Sequence, residues 1–152
     1  MERDEKPVLI AYDGSDHAKW AIEQAGAELR KPRTAVVVAA YEPLGAIPFW
    51  GVPASIVPTE LLDEVMDAAT KTAEEGAELA RSAGFDATSQ AVEGVRTWQT
   101  ILDAANEIDA DMIVLGSHGR GTVGSTVLGS VATAVAHHAH LPVLICRPPG
   151  QG

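Results

Sequence analysis

Four short runs of uninterrupted apolar residues constrain this chain more than anything else in it: Pro7 to Tyr12, Thr34 to Tyr41, Met112 to Leu115 and Leu141 to Cys146. Strict alternation would suit a sheet with one wet face. Continuous runs of Val, Ile, Leu and Ala suit strands covered on both faces, as in a parallel sheet. Between these runs the period changes. Ala18, Ala21, Ile22, Ala25 and Leu29 recur at helical spacing until Lys31-Pro32 stops the segment. Thr59 is expected to cap a long helix with Leu62, Val65, Met66, Ala69, Ala73 and Ala77 on its buried stripe, and Gly84 stands where a left-handed C-terminal cap belongs. Ala87 to Val92, where Thr88 and Gln90 alternate with apolar residues, reads as a weaker strand at a sheet edge. Thr97 opens a helix that turns Ile101, Leu102, Ala105 and Ile108 inward, and a last helix runs to about Ala136.

Strand and helix alternating from end to end imply right-handed crossovers and helices on both faces of a parallel sheet. The expected architecture is therefore α/β: a three-layer, Rossmann-like sandwich around five parallel strands in the order 3-2-1-4-5. Residues 1–152 are expected to form one domain, with frayed ends at about 1–5 and 148–152 and a proline-rich loop over about 42–58. That loop carries Ile47, Phe49 and Trp50, bulky residues that suit a lid or a partner-contact segment better than a tether.

Charge narrows the partners. With 21 acidic against 11 basic residues the formal net charge is −10, which opposes binding to nucleic acid, where neutralised phosphates supply most of the affinity. Anionic membranes are disfavoured for the same reason, and no apolar stretch is long enough to span a bilayer. The opening MERDEKP has no apolar signal-peptide core, and Cys146 is the single cysteine, so a cytoplasmic location is expected.

The chemistry concentrates where the fourth apolar strand runs into Gly116, Gly119, Gly121, Gly124 and Gly129 ahead of a helix. Glycine lets a backbone come close to phosphate, and a helix N-terminus offers it unpaired amides. With the expected strand order, the loop after the first strand, Asp13-Gly14-Ser15, faces this one across the point where the winding reverses, which is where open parallel sheets bind ligands. A carboxylate for ribose or metal and a bed of amides for phosphate outline a nucleotide site. Two motif readings fail. Ser125 stands where G-x-x-x-x-G-K-[ST] needs lysine, and no Asp or Glu follows Asp111 to serve the G-x-G-x-x-G of Gly119, Gly121 and Gly124.

Gly116-x2-Gly119-x9-Gly129-Ser130 matches the G-2x-G-9x-G-[ST] nucleotide motif of the universal stress proteins. The resemblance covers nearly the whole chain: the first strand with Asp13-Gly14-Ser15, the stretch Ala105 to Arg120, then Gly129-Ser130-Val131 and the closing Leu141 to Ile145. It implies ATP binding, with AMP, ADP or cAMP as alternatives and Mg²⁺ beside the phosphates. It implies that Gly116, Gly119, Gly129 and Ser130, with Val131 after them, hold the phosphates. Asp13 would take the ribose or the metal, and backbone near Ala40 the adenine. Gly94-Val95 lies in the loop that approaches the base in similar proteins. Ala11-Tyr12, the second of them bulky, stand where similar proteins often have proline or glycine before Asp13, and Val95 to Trp98 replace a commoner acidic-proline pattern. The resemblance also implies a homodimer paired through the last strand, Val143, Leu144 and Ile145.

Other side chains carry less. Arg120 suits a phosphate contact, since a guanidinium matches phosphate oxygens, and His118 stands equally for a phosphate contact or for loop polarity. His137, His138 and His140 look like a metal cluster, but neighbouring helical positions face different ways. Neither Ser15 nor Ser130 sits in a nucleophile elbow, and Cys146 reads as a small core residue. With no lysine in the loop and no evident general base, a nucleotide-dependent regulator or sensor with slow hydrolysis at most is the leading expectation. A slow ATPase or phosphotransferase, and a nucleotide-independent interaction module acting through the Ile47-Phe49-Trp50 loop, are the alternatives.

Overall fold

A computed structural model describes residues 6–31, 33–43, 58–119 and 127–149. The elements run β1 (Val8–Ala11), α1 (Asp16–Glu28), β2 (Arg33–Tyr41), α2 (Thr59–Ser82), β3 (Phe85–Glu93), α3 (Thr97–Glu107), β4 (Met112–Gly116), α4 (Ser130–His138) and β5 (Val143–Cys146). The five strands form one sheet in the order β3-β2-β1-β4-β5, and every neighbouring pair is parallel. The expected fold class and strand order are therefore observed.

The uninterrupted apolar runs are explained by what lies on either side. Val8 and Ile10 of β1, Ala35 and Val37 of β2 and Val114 of β4 join a core with Ala18, Ala21, Ile22 and Ala25 of α1 and Ala77 and Ala80 of α2. Their alternates, Leu9, Val36, Val38, Ile113 and Leu115, join a second core with Ile101, Ala104 and Ala105 of α3 and Ala132 and Val135 of α4. Side chains alternate across a strand, so covering both faces requires every position to be apolar. β3, at the edge, alternates as its sequence implies, with Phe85 and Ala87 buried and Asp86, Thr88 and Gln90 exposed.

Two local expectations are corrected. Pro58, not Thr59, stands at the N-cap of α2, and no side chain caps that end. The buried stripe of α2 is Ala69, Ala73, Gly76, Ala77 and Ala80, whereas Leu62 and Met66 are 42% and 46% exposed and Val65 is half-buried. The helix overhangs the sheet. Gly76 lies against the Tyr12 ring, just past the end of β1, so the earlier turns run on beyond the carboxyl ends of the strands with less sheet beneath them. Gly84 does adopt the expected left-handed conformation, at φ +102° after the Ala83 cap. Residues 44–57, and with them Ile47, Phe49 and Trp50, lie outside the described residues, as does Arg120.

Candidate functional site

The winding reverses between β1 and β4, and a cavity of about 270 Å³ opens there, at the carboxyl ends of the strands. Its apolar walls come from Ala11, Val38, Ala40, Ile101, Leu115 and Val131. At its rim stand Asp13, Gly116, His118, Gly119, Gly129 and Ser130. Of the expected site residues, these elements bring together Ala11, Tyr12, Asp13, Ala40, Gly116, His118, Gly119, Gly129, Ser130 and Val131. Gly94 and Val95 are not among them. They line a separate groove with Arg96, Gln99 and Asp103, and the Gly94 amide donates to the Tyr41 carbonyl.

Each rim feature has a local cause. Asp13 Oδ1 accepts the Ser15 amide at 2.9 Å, and Ser15 Oγ in turn accepts the Ala18 amide, so one turn both aims the carboxylate and caps α1. The three motif glycines admit close neighbours. A Cβ on Gly116 would stand 2.7 Å from the His17 carbonyl oxygen of α1. One on Gly119 would meet Asp13 Oδ2 at 2.8 Å, and one on Gly129 the Ser117 carbonyl oxygen at 3.1 Å. The Gly129 amide itself donates to that Ser117 oxygen at 2.8 Å. Gly129 therefore closes the loop. The amides left without an acceptor inside the helix belong to the next residues, in the first turn of α4, where no side chain caps the end.

Tyr12 lines the cavity and reaches into the core as well. Its ring belongs to the core on the α1–α2 side, against Gly76 and Val37, and its hydroxyl donates to Glu75 at 2.8 Å. The bulk that distinguishes this position is taken up by a glycine on α2. His118 is corrected on one point: it is 6% exposed and hydrogen-bonded, not a solvated loop side chain. His138 stacks on Trp98, ring centroids 4.4 Å apart, and no group of three or more His, Cys, Asp or Glu side chains among the described residues is placed to hold a metal ion. Sequence reasoning missed Val38, Thr97, Ile101 and Leu115 as cavity walls. The signal for Val38 and Leu115 was available, since both stand near the carboxyl ends of strands flanking the switch point.

A family model described as the universal stress protein family matches residues 5–147. The chain belongs to the universal stress protein family. A universal stress protein of Thermus aquaticus is 38% identical over 148 residues, covering 93% of this chain and 98% of its own length. Among solved structures, hypothetical protein MJ0577 superposes with a TM-score of 0.78 at 22% identity, covering 95% of this chain and 97% of its own. The Archaeoglobus fulgidus universal stress protein, solved in complex with dAMP, has a TM-score of 0.65 at 23% identity over 94% of this chain and 98% of its own. At that identity the two structures speak for the fold. No helix among the described residues is long and apolar enough to cross a membrane.

Proposed function

We propose that this universal stress protein binds an adenine nucleotide, ATP with Mg²⁺ first among the candidates, and acts as a nucleotide-dependent regulator. The observation that carries the reading is the division of the switch-point cavity into an apolar wall, a fixed carboxylate and an uncapped helix start. A purine lies against Ala11, Val38, Ala40 and Ile101, Asp13 takes ribose hydroxyls or the metal, and the amides opening α4 take phosphate. Fold neighbours crystallised with cAMP or dAMP support the same class of ligand. Mg²⁺ fits a site with one protein carboxylate, because it keeps much of its water and takes its other oxygens from phosphates. Both ring nitrogens of His118 are already engaged and the Asp13 carboxylate is assigned to ribose or metal, which favours binding over turnover. The regulator works in the cytoplasm as a homodimer joined through β5, an edge strand with half-buried Val143, Leu144 and Ile145. Ile47, Phe49 and Trp50 are the proposed contact for a protein partner.

The first experiment denatures the purified protein and identifies any released nucleotide by chromatography, with calorimetric titration of ATP-Mg²⁺ alongside. The expected result is an adenine nucleotide from the parent and much less from Asp13→Ala. Gly116→Val is a poor control, because its side chain would strike α1 and disturb the fold itself. No nucleotide and no heat of binding would overturn the reading. A monomer in sedimentation at micromolar concentration would overturn the dimer.

A further inference from the structure

We infer that His118 is a positioning residue, a pin that fastens the two ends of the glycine-rich loop and so sets the start of α4 against the cavity before any ligand arrives. The inference rests on the nucleotide reading of that cavity for its consequence, but on hydrogen bonds alone for its geometry. His118 Nε2 pairs with the Val127 carbonyl, and its Nδ1 lies 3.1 Å from Ser117 Oγ. A carbonyl can only accept, so Nε2 carries the proton. In the neutral ring Nδ1 then accepts from the Ser117 hydroxyl. The His17 ring packs on the same imidazole, centroids 5.1 Å apart, and Ser117 is 2% exposed. Next to the pin, the Gly129 amide closes on the Ser117 carbonyl.

Three consequences follow from chemistry. Residues 118 and 127 are held together across the intervening loop, so part of its closure entropy is spent in the free protein and not at the moment of binding. The ring is 6% exposed, so a replacement that leaves a polar atom unpaired in its place is costly. And one flat ring with nitrogens on two edges can reach both partners, which no amide side chain can. The asparagine amide nitrogen coincides roughly with Nδ1 and the glutamine amide nitrogen with Nε2. Glutamine should therefore keep the Val127 bond that asparagine loses.

The test measures amide hydrogen exchange in the nucleotide-free parent, His118→Gln and His118→Asn, followed by calorimetry with ATP-Mg²⁺. In His118→Asn the Gly129 amide is expected to lose protection at least tenfold while the amides of β1 and β4 keep theirs, and His118→Gln is expected to stay within about threefold of the parent. Unchanged protection in His118→Asn would overturn the pin, as would equal loss in both variants. If His118→Asn does not fold, Ser117→Ala carries the test. That change removes only the hydroxyl orienting the ring, and a several-fold loss is expected where unchanged protection overturns the inference. In calorimetry the asparagine variant is expected to bind about tenfold more weakly than the glutamine variant. Exchange is read without ligand, so a parent that fails to bind ATP would overturn the proposed function and still leave the pin decided.

Discussion

The two faces of the sheet use small residues in opposite ways. On the α1–α2 side, glycine lets helices descend until nothing is left between them. A Cβ on Gly26 would lie 2.8 Å from Ala83, and one on Gly76 would lie 2.7 Å from both the Tyr12 ring and Val37. On the α3–α4 side, Gly119 and Gly129 draw backbone and a carboxylate together at the rim, while Ala11, Ala40 and Ala132 line a space that no side chain fills. Interiors are otherwise close-packed, and a void forfeits contacts that a larger side chain would make. The α1–α2 face is thus packed without gaps at these glycines, and the α3–α4 face keeps a cavity at the cost of such contacts.

Adding volume to each face is the direct way to break this comparison. Gly76→Val is expected to cost about 3 kcal/mol, visible as a large drop in thermal midpoint, because the new methyls meet a buried ring and β2. Combining it with Tyr12→Leu should cost less than the sum of the two single changes, since the ring that is struck is gone. Ala40→Phe enlarges a cavity wall on the other face. Its stability should stay within about 1 kcal/mol of the parent, while titration with ATP-Mg²⁺ shows affinity reduced at least a hundredfold, about 2.7 kcal/mol. If Ala40→Phe unfolds the protein as Gly76→Val does, the open face is not open. Asp13→Asn should have a smaller effect, roughly tenfold in nucleotide affinity with little change in melting, because the Ser15 amide can still be accepted by an amide oxygen.

How much of this was legible beforehand differs in the same way between the faces. The four apolar runs specified buried parallel strands, and the turn at Asp13 with the glycines after β4 marked the place where the cavity opens, because those signals are local. What failed was long-range. The period of α2 reads as one continuous buried stripe, yet the sheet beneath it ends, and Leu62 and Met66 stand exposed. The Tyr12 ring is accommodated by Gly76, which lies far along the chain, so no local pattern could reveal where its bulk would be taken up. Gly129 also has a structural neighbour that its spacing does not announce, the Ser117 carbonyl that its amide reaches. Spacing records that a residue without a side chain is needed, not which neighbour needs it.

Cys146 offers the mildest test, since it asks whether the α1–α2 face is sealed as far as β5. The thiol is 3% exposed in that core, its hydrogen directed weakly toward the Ala21 carbonyl. Burial, with a lesser contribution from Glu28, pushes its pKa from an ordinary value of 9.0 up to about 11. The folded protein thus holds a proton that the unfolded chain releases, so stability is full below about pH 9 and falls as pH rises toward 11. Tyr41, whose pKa is also raised by burial and by Glu93, titrates nearby and adds a slope of its own. Comparing denaturant midpoints of the parent and Cys146→Ala across that range removes the tyrosine contribution, which both share. The parent should lose stability faster with pH than the variant, and the native thiol should resist aromatic disulfide reagents at pH 8 until the protein unfolds. Parallel slopes, or rapid modification of the folded protein, would mean that water reaches the sheet beneath α1 and that the two faces are more alike than their packing implies.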